Sequence, residues 1–197
     1  MTDVADPMFK STEAQDAVIN NPAYLTKNLN GVRVSIVPTT DGWNACLRLL
    51  YQTTRGEVNS LEQLGYNRTH LETIRKIKAK SSGILIISGP TGSGKSTTLK
   101  VTLEEIAKDN GCNDDGTSCE INIMTVEDPS EYKILGAKQL AVSGVETDEE
   151  RMDQYHRYLK ALLRQDPDVI MIGEIRDIIS GKAAIKSAMS GHFCLTT

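Results

Sequence analysis

A chain of 197 residues, 39% hydrophobic and 24% charged, has room for one or two domains with a real core. Its net charge of -4 at pH 7 disfavours a broadly basic surface for nucleic acid, so no nucleic-acid partner is expected. No apolar run approaches the roughly 20 residues that span a bilayer as a helix, and residues 1–6 lack the start of a signal peptide; the expectation is a cytoplasmic chain with no direct membrane insertion.

Residues 1–30 are polar, contain Pro7 and Pro22, and read as a tail or an edge. Residues 32–37 alternate apolar and polar, as a half-buried strand does. A turn at 38–42 leads to a second strand at 43–51. A lone hairpin is marginal in water, so residues 1–52 read as a tail and the end of a small α+β domain. Residues 53–68 read as a linker. Residues 69–80 form a basic amphipathic helix with Leu71, Ile74 and Ile77 on one face.

From residue 82 the pattern changes. Apolar runs at 84–87, 121–126, 139–142, 169–172 and 193–196 read as strands, and 95–108, 149–163 and 178–189 read as helices. Such alternation predicts an α/β fold: a P-loop, RecA-like core over residues 69–197, its mainly parallel sheet flanked by helices. The four cysteines, Cys46, Cys112, Cys119 and Cys194, form no C-x-x-C pair. They read as reduced thiols; a metal or a disulfide between Cys112 and Cys119 is the alternative.

Gly89, Pro90, Thr91, Gly92, Ser93, Gly94, Lys95 and Ser96 fit G-x-x-x-x-G-K-[ST] at every fixed position. The motif sits between a buried strand and a helix, the context it requires. Its glycines let successive N–H groups turn toward phosphate oxygens. The helix adds its positive N-terminal end. Lys95 reaches the β- and γ-phosphates, and the Ser96 hydroxyl ligates Mg2+. ATP and Mg2+ are therefore the expected cofactors.

Two acidic groups end strands, where open α/β sheets place ligands. Glu127 is a candidate to poise the attacking water, and Asp128 to orient Glu127 or contact the metal shell; an acidic surface turn is the alternative. Glu174 is a candidate to reach Mg2+ through a water, with Gly173 standing where a strand-end Asp is usual; a solvent-facing Glu is the alternative. His192 either senses the γ-phosphate, bonds Glu174, or is structural.

In this order, Gly89 to Thr97, Thr125 to Pro129, Leu162 to Asp177 and Ser190 to His192 resemble the secretion and type IV pilus motor ATPases, closest to the pilus-extension and type II secretion branch. The likeness covers roughly residues 31 to 197. It implies that Glu127 and Asp128 are the family's acidic box, Glu174 its atypical Walker B residue and His192 part of its His box. It implies a hexameric homo-oligomer, nucleotide between two domains, an inner-membrane platform protein as partner, and a location peripheral to that membrane. Arg33 and Arg48 match by position the arginines that approach the γ-phosphate; Arg164 and Arg176 brace the core or a subunit contact. Residues 111–119 look like an insertion, and no structural zinc is expected. The family's remaining N- and C-terminal parts are missing, so the chain reads as incomplete. The leading function is an ATP-hydrolysing motor for pilus assembly or type II-like secretion. The alternatives are a non-catalytic nucleotide-binding subunit and a conjugation-related or nucleic-acid motor.

Overall fold

The computed structural model describes residues 2–3, 12–19, 21–26, 29–51, 58, 60–142, 145 and 147–197. They divide into two compact units: residues 1–57 with 143–151, and residues 58–142 with 152–197.

In the first unit, β1 (Thr2–Asp3), β2 (Gln15–Ile19), β3 (Leu29–Thr39) and β4 (Gly42–Tyr51) make an antiparallel sheet in that order. Side chains alternate between its faces. Val32 and Val34 stand opposite Leu49 and Leu47 on one face, and Arg33 stands opposite Arg48 on the other. The expected hairpin is there, but β2 comes from the stretch read as irregular. Ala17, Val18 and Ile19 are too short an apolar run, between polar flanks, to show a period.

In the second unit, α1 (Arg68–Lys78) begins where the Asn67 side chain accepts a hydrogen bond from the His70 backbone N–H. There follow β5 (Gly83–Ile86), α2 (Lys95–Asp109), β6 (Ile123–Glu127) and β7 (Ala137–Ala141). The helix α3 (Asp148–Leu162), of which residues 152–162 belong to this unit, then β8 (Val169–Ile172), α4 (Ile178–Met189) and β9 (Phe193–Thr196) complete the order. The five strands are parallel and lie in the order β5-β9-β8-β6-β7. The expected α/β sheet is present.

Helix α2 holds this unit together. Leu99, Leu103, Ile106 and Ala107 pack with Ile123, Val169, Met171, Phe193 and Leu195 of the sheet. Val101 packs with Leu61 and Leu71. Leu61 belongs to a short 3-10 helix, Leu61–Leu64, in the stretch read as linker. Its backbone N–H donates to Glu105 Oε1 (3.0 Å), and Lys78 donates to Glu105 Oε2 (2.6 Å). The basic face of α1 is thus partly paired and not simply solvated.

Cys112 and Cys119 are joined by a disulfide, against the expectation of four reduced thiols. The turn between them accounts for it. Asn113 N donates to Ser118 O (3.0 Å) and Ser118 N to Asn113 Oδ1 (3.1 Å), folding the loop so that its ends meet.

Leu61 is 1% exposed, and truncating such a side chain leaves a cavity that its neighbours fill only in part. Leu61→Ala is expected to lower unfolding stability by about 2–5 kcal/mol, read from a shifted urea midpoint at unchanged slope.

Candidate functional site

The C-terminal ends of parallel strands share one rim of a sheet. Register pairs Ile86 with Thr196 and Thr196 with Ile172, and Ile172 with Val126. The phosphate loop leaves that rim after β5. Gly92 and Gly94 have φ of 77° and 89°, a region open to glycine at little cost, and Gly94 is the N-cap of α2. The loop therefore turns directly into the helix, and its position follows from the burial of α2. Lys95 Nζ donates to the carbonyls of Gly89 and Pro90 (3.0 Å each), so the ammonium stays over its own loop.

A cavity of about 500 Å³ opens beside the loop. Its lining includes Thr91, Gly92, Gly94, Lys95, Ser96 and Thr97 from the loop side, and Glu127, Asp128 and Glu174 from the strand ends. Most of the residues singled out in sequence thus come together.

The carboxylates have different surroundings. Glu127 is 8% exposed, and its Oε1 accepts from Thr125 Oγ1 (2.6 Å) and Gln139 Nε2 (2.9 Å). Burial pushes its carboxyl above the ordinary range; the two hydrogen bonds pull the other way, and the charge of Glu131 adds to the rise. Glu174 has a half-exposed side chain paired with Arg176. Its carbonyl accepts from the buried Tyr155 hydroxyl (3.0 Å).

Gly173 explains the unusual strand end. A Cβ there would lie 3.2 Å from Val126 O and 3.4 Å from Glu127 Cα. A strand-end carboxylate there would crowd the neighbouring backbone, and the acidic group falls one residue later, on Glu174.

Asp128 was expected to orient Glu127 or contact the metal shell; its side chain lines the cavity, is 1% exposed and is ion-paired with Arg176 Nη1. Its carboxylate braces the site through that guanidinium, which also holds Glu174. His192 was expected near the γ-phosphate or Glu174. It precedes β9, at the opposite end of the strand from the cavity, and its N–H neighbour Phe193 pairs with Gly83 and Val169. Four strand residues separate it from the loop rim, a length of roughly 13 Å. Its Nδ1 lies 3.0 Å from Ser190 Oγ and 3.1 Å from Ser187 O, a brace at the end of α4. Arg33 and Arg48 lie in the first unit, opposite each other on β3 and β4.

Sequence reasoning missed Thr125 and Gln139. Thr125 stands two residues before Glu127 and so on the same strand face, a signal that was available. Gln139 is a polar residue within a strand, and only the β6–β7 register reveals that it faces Thr125.

The model of the family described as type II/IV secretion system protein matches residues 8–197. The type II secretion system ATPase E of Vibrio cholerae serotype O1 is 39% identical over 168 residues, which are 84% of this chain and 30% of that protein. The type II secretion system protein E of Aeromonas hydrophila is 40% identical over 168 residues, again 84% of this chain and 30% of the relative. The chain thus spans about 30% of the length of these curated relatives. Among solved structures, the pilus retraction motor PilT with bound ADP superposes with a TM-score of 0.66 at 27% identity, covering 94% of this chain and 47% of that one. The ATPase DotB of Legionella pneumophila superposes with a TM-score of 0.65 at 23% identity, over 95% of this chain and 48% of that one, a likeness of fold.

The segment after Glu174 is anchored by Asp177, the N-cap of α4. Its carboxylate accepts from Ser180 N (2.7 Å) and from His156 Nε2 (2.7 Å). The Ser180 backbone bond, with the Ser180 hydroxyl and His156, holds its pKa down at about 2. A depressed carboxylate stabilises the fold above its unfolded pKa, and that contribution fades as pH falls through the folded value. Asp177→Ala is expected to cost about 1 kcal/mol near neutral pH. The gap from the wild type should close as the medium is acidified toward the folded pKa, as read by chemical denaturation across pH.

Proposed function

The chain belongs to the type II/IV secretion system protein family, and on that premise we propose that it binds ATP with Mg2+ beside the phosphate loop and hydrolyses it as a motor subunit for pilus assembly or protein secretion. The observation that carries this reading is the single cavity shared by Lys95, Ser96, Glu127 and Glu174.

The loop from Gly89 to Thr97 presents its N–H groups to the phosphates, and Lys95 exchanges its two carbonyl partners for phosphate oxygens. Among the described residues no group of three His, Cys, Asp or Glu side chains could hold a metal alone. That suits Mg2+, which keeps waters and leans on substrate phosphates. Ser96, with Glu174 through water, would hold it, and it would neutralise charge on the β- and γ-phosphates.

Glu127 accepts a proton from the water that attacks the γ-phosphorus in line; the bond to the β–γ bridging oxygen breaks and ADP leaves with that electron pair. Burial raises its proton affinity above that of an ordinary carboxylate, which favours a base. In a homo-oligomeric ring, Arg33 and Arg48 supply cations for the γ-phosphate. Such a ring works on the cytoplasmic face of the inner membrane against a membrane platform protein.

The test is Mg-ATP hydrolysis measured against protein concentration. Turnover should rise faster than linearly and vanish in Lys95→Ala. Glu127→Gln should keep ATP affinity while losing about 100-fold or more of the rate. ATP binding that depends on Lys95, without hydrolysis at any concentration, would instead mark a nucleotide-binding subunit.

A further inference from the structure

Gln139 sits mid-strand on β7 with its amide fully engaged. Ile134 N donates to Gln139 Oε1 (2.9 Å). A backbone N–H can only donate, so this contact fixes which end of the amide is oxygen. Nε2 then donates both of its hydrogens, one to Tyr132 O (2.8 Å) and one to Glu127 Oε1 (2.9 Å). Thr125, directly opposite Gln139 in the parallel register, donates its hydroxyl to the same Oε1 (2.6 Å). Two donors from two strands thus meet one carboxylate oxygen. Oε2 carries neither bond. Glu127, Tyr132 and Ile134 all line the cavity beside the phosphate loop.

We propose that Gln139 and Thr125 are positioning residues: they hold Glu127 by Oε1, leave Oε2 as the proton-accepting oxygen, and, through Gln139, lock that carboxylate to the Tyr132–Ile134 wall of the cavity. The proposal rests on Glu127 being the base of the proposed hydrolysis. A pinned carboxylate has one orientation, so the oxygen left over meets the water without a prior rotation. A wall and a base that share one amide also move together, so a nucleotide seated against the wall finds the base already aimed. A side chain that only filled space here would use neither donor, and an apolar residue of equal size would serve as well.

The experiment replaces the donors and keeps the shape. Gln139→Met removes the amide, and Thr125→Val removes the hydroxyl; Thr125→Ser retains it. Each is made in the full chain, and the Glu127 carboxyl is titrated by 13C NMR, assigned through Glu127→Gln. Both donors favour the charged carboxylate, so losing either should raise the Glu127 pKa, with Thr125→Ser near the wild type. In hydrolysis, the acid limb of the pH profile should move upward by the same amount. The kcat should fall by about tenfold, with KM for ATP changed by no more than about twofold.

If the Glu127 titration is unmoved in both Gln139→Met and Thr125→Val, the positioning role is wrong whatever Glu127 does. If the titration moves and the acid limb does not follow, Glu127 is not the base, and the catalytic reading and this proposal fall together. Should Gln139→Met not fold, Thr125→Val against Thr125→Ser decides, because both donors bear on the same oxygen.

Discussion

The burial of α2 is the constraint on which the site depends. Nine of its fifteen residues are buried, among them Lys100 and Glu104, which face each other at 3.6 Å. A helix enclosed on so many sides cannot slide or rotate without opening the core. Its first residue is Lys95, and its N-cap is the last glycine of the phosphate loop. The anion-binding end is therefore set by apolar packing that lies one and more turns away. Leu61, Leu71 and Val101 on one side, and Ile123, Val169 and Leu195 on the other, fix where a phosphate would be met.

Against that fixed end, the strand termini supply two acids in unlike media. Glu127 is buried among neutral donors, and the Glu174 side chain is half-exposed beside a guanidinium. Burial makes Glu127 costly to ionise. Like residues thus meet unlike surroundings from placement alone. Arg176 joins the two strand-end loops by reaching both Asp128 and Glu174. A single side chain thus links chain segments 48 residues apart.

Much of this was legible before any coordinates. The phosphate loop was, because its chemistry needs a fixed spacing. The strand runs at 84–87 and 169–172 were, because strands covered on both faces are apolar throughout. Glu127 and Glu174 were, because strand ends gather at one rim. His192 was misplaced although its position was legible: it comes before the strand read at 193–196, and ligands gather after strands. The Asp128–Arg176 pair was not legible because its partners lie 48 residues apart. Gln139 was invisible because its role is set by the β6–β7 register. The Cys112–Cys119 bond stood only as the alternative because spacing alone does not tell a closed turn from an open one.

The parallel sheet has a second rim, and it is built differently. Asn122 N donates to Asp168 Oδ2 (2.8 Å), and the Asn122 side chain donates to Gln165 O and Asp166 O (2.8 Å each). Lys138 closes the group by donating to Asn122 Oδ1 (3.0 Å). These contacts tie β6, β7 and the approach to β8 at the end remote from the cavity. The run from Gln165 to Asp168 thus serves as a clasp at the foot of the sheet, whereas the residues that follow β8 face the cavity at its head. Height along the strands therefore separates near neighbours in sequence and joins distant ones: Asn122 belongs to the clasp and Glu127 to the cavity, while Lys95 and Glu174 share the same rim.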